Sequence, residues 1–346
     1  MRCVESKEAI EKIDELLASV GLVHGRRETL AGTWQGGDRV KELTGSGGRP
    51  AGRRLGIVRA PGWDRHAWLR HGFSTRPGGI SDIYGTGSLN LGWTKQDDPG
   101  KVFENRRRFV KAVSGGSETP LVTLRQTHTG LVRIIEAGDS PLETPEGKAV
   151  LRGDAVMTDV AGLLLGVQVA DCVPVLIADP KRKAVAAFHA GWRGTLKRIV
   201  ERGVGRMRLR YGSRPEDLIA VIGPSIGPCC YSVGEEVKHE FESQFAYWSE
   251  LFSDVFDSDP VKEKYPLLFL TARAPGHSNI GPQIHLDLWE ANRRQLLDAG
   301  LKAKKVGVIG ECTACTRVKG GALKYFSHRG EHGFAGRMIA AVGVAT

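Results

Sequence analysis

Two apolar runs, VPVLIA over 173–178 and AVAAF over 184–188, are separated only by the polar segment DPKRK. Each run is too short for a buried helix and is bounded by turn residues, so they read as neighbouring strands buried on both faces. Strands of that kind need a layer of structure above and another below. The ends of the hairpin do not fit an ordinary core. Asp171 and Cys172 precede the first run, and His189, Trp192 and Arg193 follow the second. With residues 179–182 as the turn, Cys172 lies directly opposite His189, with Cα atoms roughly 4.5–5.5 Å apart. A turn longer by two residues places Cys172 opposite Gly191 instead. In both registers a thiol and an imidazole meet at the open end.

The rest of the chain supplies the layers. Asp98-Pro99 predicts a helix start, with Val102, Phe103, Phe109 and Val110 along it and Gly115 as its stop. Strands are expected over 121–127, 131–137, 163–169, 218–223 and 306–310. A helix over 195–209 carries Leu196, Ile199, Val200, Val204 and Met207 at helical spacing, and Asp287 with Glu290 resembles a capping box for another that Gly300 ends. The expected fold is α+β, a layered α/β/β/α-type domain with mixed sheets over residues 55–346. Residues 1–54 are expected to hold a helix (Ile10, Ile13, Leu17, Val20) and a Gly/Arg-rich extension.

The Cys172–His189 meeting has three readings. It is a buried thiol beside a satisfied imidazole, a nucleophile with its base, or two ligands of a metal. Cysteine and histidine suit zinc, and a third protein ligand leaves a fourth position for water or substrate. His128, in LRQTHTG at the end of an expected strand, is the candidate third ligand. GWRGT leads into the helix expected over 195–209, so free N–H groups and Arg193 combine as a candidate anion site. Cys312 and Cys315 form a CxxC motif without a second such motif, and adjacent Cys229 and Cys230 are not expected to complete a four-thiolate site.

Together these segments resemble the YfiH-like laccase-domain family, zinc-dependent purine nucleoside phosphorylases formerly called polyphenol oxidases. The resemblance runs from about His71 to Ala345. It rests on HGFSTRPGGIS, SLNLGW, ENRRRF, LRQTH, VADCVPVLIADP, FHAGWRGT, IGPSIGPCCYSVGEEV, LDLWEANRRQLL, ECTACT and FSHRGEHGFAGRM. It implies a layered α+β fold and one zinc held by His128, Cys172 and His189, which are then the catalytic residues. It implies phosphorolysis of adenosine, inosine, guanosine and S-methyl-5′-thioadenosine, with adenosine deamination alongside. Purine nucleosides and phosphate are the expected partners. The phosphate is expected near Arg193, with Arg76, Arg125 and Arg329 as further candidates. Gly330 follows Arg329 where the family often has a second arginine, and KQDDP stands where V-G-D is usual after N-L-G.

Composition narrows the alternatives. The net charge of +10 favours anionic partners, but the basic residues are dispersed in short clusters, without a nucleic-acid fingerprint. No nucleic acid is expected. The apolar window 160–178 contains Gln168 and Asp171 and splits into two strands, so no membrane span is expected. Six cysteines in 346 residues fit a reduced, cytoplasmic setting. A multicopper oxidase draws largely on His-x-His pairs, and none of the ten histidines lie two apart. Copper binding is expected only in vitro, and copper-dependent polyphenol oxidation is the weakest functional reading. A thiol hydrolase (an amidase) using Cys172 and His189, with Asp171 or another group orienting the ring, is the stronger rival.

Overall fold

The computed structural model describes residues 55–140, 142–255 and 283–346. The helix and extension expected over 1–54 lie outside them. Two sheets form the centre. The first has the order β1 (Ile57–Val58), β2 (Leu69–Ser74), β15 (Met338–Val344), β7 (Leu163–Val169) and β4 (Leu121–Thr123). The second has the order β14 (Val306–Val308), β10 (Ile219–Ile222), β8 (Val173–Asp179), β9 (Ala184–Ala190), β6 (Ala155–Thr158) and β5 (Val132–Ile134). Both are mixed: β4 runs parallel to β7, β10 to β14 and β5 to β6, and the other neighbours are antiparallel. A ribbon of β3 (Pro77–Ser81) and a small sheet of β11 (Ser232–Val233), β12 (Phe252–Val255) and β13 (Gln283–Leu286) lie outside them.

The alternation of side chains along each strand sorts the core into layers. Leu176, Ala178, Val185, Ala187 and Val221 of the second sheet pack against Phe73, Leu165, Val167, Ala340 and Val342 of the first. The opposite set of the second sheet, Val175, Ile177, Ala186 and Phe188, packs against helices. These are α3 (Ile199–Tyr211), α4 (Glu235–Gln244) and α5 (Leu288–Asp298), through residues such as Val204, Phe241 and Leu296. On the outer face of the first sheet, Leu164, Ile339 and Ala341 meet Phe109 and Val113 of α1 (Pro99–Ser114). The layering is α/β/β/α, as expected. Two helix starts follow their sequence signals: the Asp98 side chain accepts from Lys101 N, and that of Asp287 from Glu290 N. Phe103 of α1 is exposed rather than in the core.

Two local expectations are corrected. Val173 pairs with Ala190 and Pro174 with His189, so the hairpin turn is the longer one and Cys172 falls opposite Gly191, not His189. The cause is a four-residue loop. Asp179 Oδ1 accepts from the N–H groups of Lys181 and Arg182, and Lys183 takes a left-handed φ of 53°. The helix expected over 195–209 is in fact two, a short α2 (Trp192–Leu196) and then α3. The break is Arg198, at φ 53°, whose guanidinium is held by Glu201 and the Gln244 carbonyl and stacks on Phe245.

Candidate active site

The chain passes from the first sheet to the second through residues 170–172, between β7 and β8, which places Cys172 where the two sheets open. His189 is the penultimate residue of β9 on the second sheet, and His128 follows β4 of the first. Sγ of Cys172 and one ring nitrogen from each histidine all lie within 4.8 Å of one another. Cys172 Sγ is 3.8 Å from His128 Nε2, and the two imidazole rings meet edge to face with centroids 4.9 Å apart. Gly191 permits this approach: a Cβ there would stand 2.7 Å from Cys172 Sγ.

The residue that assembles the trio is Asp154, fully buried before β6. Its carboxylate accepts from the N–H groups of Thr127 (3.1 Å), His128 (3.0 Å) and Thr129 (2.7 Å), and from Thr129 Oγ1 (2.7 Å). These bonds hold His128 at a left-handed φ of 56°, a backbone state that costs a non-glycine residue about 1–2 kcal/mol. The same carboxylate lies 2.9 Å from His189 Nδ1, leaving Nε2 of that ring to face Cys172. Sequence reasoning missed Asp154. The only hint was an acidic residue opening the strand AVMT, and nothing local links it to positions 26 and 35 residues away.

Electrostatics follow from this enclosure. Burial pulls the Asp154 carboxyl upward, but the His189 and Thr129 hydrogen bonds outweigh it and hold it well below the usual carboxylate range. Burial would likewise raise the Cys172 thiol, yet His189 and His128 bring it down to about 6. His189 moves the other way, to about 9: burial disfavours its cation, and the Cys172 thiolate and Asp154 more than offset that. Both shifts run in the direction of a thiolate beside an imidazolium. The groups also fit a metal such as zinc, since one thiolate and two imidazole nitrogens converge and the outer nitrogen of His189 is fixed by a carboxylate.

The trio lines a cavity of about 520 Å³, within the usual range for small-molecule sites. Arg125 and Arg329 line it, as does Arg337, which the sequence reading had not named. Ile226, Leu288 and Trp192 supply apolar walls, with Tyr231 and His328 beside them. Arg193 does not line this cavity. It is exposed, stacks on Trp192 at 4.1 Å and faces an adjoining cleft that Arg329 shares. Arg76 is also elsewhere, paired with Glu331 at 2.6 Å and stacked on Phe326. Asp171 does not orient His189. Its carboxylate accepts from Thr313 Oγ1 (2.6 Å) and Arg329 N (2.8 Å), so it ties two loops to the cavity wall. Cys229 and Cys230 do join Cys312 and Cys315, with all four sulfurs within 4.8 Å, contrary to expectation. In an extended strand adjacent side chains would diverge, but a turn at 228–230 puts both thiols on one side.

A cysteine–histidine centre at the open edge of two face-packed sheets, walled by arginines, defines a small-molecule enzyme scaffold of the laccase-domain type. Residues 70–345 match the family described as multi-copper polyphenol oxidoreductase laccase, and the chain belongs to that family. Purine nucleoside phosphorylase YlmD of Geobacillus stearothermophilus is 33% identical over 290 residues, covering 81% of this chain and 95% of that one. Adenosine deaminase RL5, from an unknown prokaryotic organism, is 32% identical over 244 residues, 70% of this chain and 84% of its own. The crystal structure of hypothetical protein YfiH from Bacillus licheniformis superposes with a TM-score of 0.67 at 30% identity, covering 83% of this chain and 96% of that one.

Proposed function

We propose that this protein is a zinc-dependent purine nucleoside phosphorylase acting on adenosine, inosine, guanosine and S-methyl-5′-thioadenosine, with adenosine deamination as a side activity. The observation that carries the reading is the convergence of His128, Cys172 and His189 within 4.8 Å at a cavity lined by Arg125, Arg329 and Arg337. The relatives named phosphorylase and deaminase support it. In phosphorolysis a phosphate oxygen bonds to the ribose C1′ as the bond from C1′ to the purine N9 breaks, and the base leaves with the bonding electrons and a proton. The three arginines offer planar donors for the phosphate, and Ile226, Leu288 and Trp192 offer apolar surface for the base. His128, Cys172 and His189 would hold the zinc. When bound, it would supply Lewis-acid chemistry. Asp154 keeps both histidines in place throughout.

The reading includes residues 55–346 as the catalytic domain, 1–54 as its extension, and a cytoplasmic setting. No disulfide joins the described cysteines, and no helix among the described residues is long and apolar enough to cross a membrane. The test is incubation of the purified chain with each nucleoside, with and without phosphate. Free base and ribose 1-phosphate should appear only with phosphate, cease after chelation and return with zinc. If no purine nucleoside releases base in a phosphate-dependent way, the assignment is wrong.

One observation favours a second reading, a thiol hydrolase. The lowered Cys172 thiol and raised His189 imidazole are what a cysteine nucleophile and its base require. Such an enzyme would keep its activity after metal removal, whereas the phosphorylase would not. Copper-dependent polyphenol oxidation has weaker support. Among the described residues only two groups of three or more His, Cys, Asp or Glu come within reach of one ion, and one of them is purely thiol.

A further inference from the structure

We propose that Cys229, Cys230, Cys312 and Cys315 form a second, structural metal site that binds one zinc ion through four thiolates. Their sulfurs all lie within 4.8 Å of one another, and Cys229 Sγ is 3.7 Å from Cys315 Sγ. A zinc–sulfur bond of about 2.3 Å in a tetrahedron separates neighbouring sulfurs by roughly 3.8 Å. The Cys229–Cys315 spacing matches one tetrahedral ion, and the 4.8 Å bound on the other pairs leaves room for the same geometry. The Cys229–Cys315 distance is too long for a disulfide, whose sulfurs are about 2.05 Å apart. A four-iron cluster would spread its cysteines over a larger body than these sulfurs enclose.

The backbone explains why two remote pairs meet. β10 and β14 run parallel side by side, and the pairing continues past them as a bridge between Ser225 and Cys312. Thr313 N donates to Ser225 O at 2.9 Å, so the two loops leave the sheet in step. Cys230 N and Tyr231 N both donate to Gly227 O, closing the turn that gathers Cys229 and Cys230. Gly227 N donates to Cys312 Sγ at 3.3 Å, a contact that favours a thiolate there. The loops then reach the cavity, since Tyr231 lines it and Thr313 grips Asp171 beside Cys172. A metal at the four sulfurs braces that wall without sharing a ligand with the trio.

Elemental analysis of the full chain, purified without chelator, is the test. The wild type should hold about two zinc ions, and the Cys312→Ser/Cys315→Ser double variant about one. Cys172→Ala should also hold about one, and cobalt loaded into it should show the absorption of a tetrahedral four-thiolate complex. If Cys172→Ala leaves zinc unchanged, the metal at the trio fails while this site stands. Should the double variant not fold, alkylation of the wild type decides: the four thiols should resist labelling until a chelator is added. Unchanged zinc in a folded double variant, rapid labelling of all four thiols with zinc still bound, or a Cys229–Cys315 disulfide in fresh protein would each overturn the proposal.

Discussion

Replacing Asp154 by asparagine keeps the side chain's size but swaps an acceptor oxygen for a donor in a place where five donors converge. The His189 ring loses its fixed orientation and the 127–129 turn loses its anchor. Zinc affinity should fall by about 10–100-fold, as for other carboxylates that orient a ligating histidine, and competition with a chelator of known strength measures it. Cys172 gives a second prediction. In protein stripped of metal, its alkylation rate should climb as pH rises through about 6, because the neighbouring imidazoles stabilise the thiolate. With zinc bound the same peptide should label slowly at every pH, which mass spectrometry reads directly. Rapid labelling that abolishes activity while zinc stays in place would favour the hydrolase. Cys172 and His189 could be paired from sequence because one short hairpin joins them. Asp154 could not, because its partners arrive from two other segments.

Among the elements, α3 and β9 touch more closely than any spacing rule foretells. A Cβ on Gly203 would stand 2.0 Å from Phe188 Cε1, and Phe188 precedes His189. Gly203→Ala should therefore destabilise the fold by about 1–3 kcal/mol, seen as a lower urea midpoint, and displace the end of β9. An unchanged midpoint would show that the ring can move aside cheaply. The buried runs that became β7, β8, β9 and β10 were legible because apolar residues dominate them, with polar Gln168, Asp179 and His189 near strand ends. The caps of α1 and α5 were legible because Asp98 and Asp287 are local signals. The break at Arg198 was not, since the apolar spacing runs straight across it and tertiary partners hold its backbone. β15 has only the apolar run MIAAVGV to mark it, and α4 has only Val237 and Phe241 buried to announce it. The meeting of Cys229 and Cys230 with Cys312 is not legible in sequence, because the parallel pairing of β10 and β14 brings them together.

For the whole molecule, one buried histidine sets an acid limit. His71 on β2 is 1% exposed, and its Nε2 accepts from Ala60 N, which only the neutral ring can do. Burial and then the Arg59 charge push it down to about 3 from 6.5. Below pH 6.5 the unfolded chain takes up a proton that the folded one refuses, so stability is lost as pH falls from there toward 3. The loss approaches about 1.4 kcal/mol per pH unit. His71→Gln cannot titrate, so its urea midpoints should fall less steeply than wild type between pH 7 and 4; parallel curves would refute the assignment. The strand order of this sheet also bears on how a ribosome delivers the molecule. β15 lies between β2 and β7, so residues 338–344 must arrive before either edge is closed. While synthesis continues, two apolar strands wait with unsatisfied backbone groups, open to pairing with neighbouring nascent chains. The histidine carried beyond β4 and the cysteine beyond β7 thus gain a finished platform only when β15, made after both neighbours, slides into the middle.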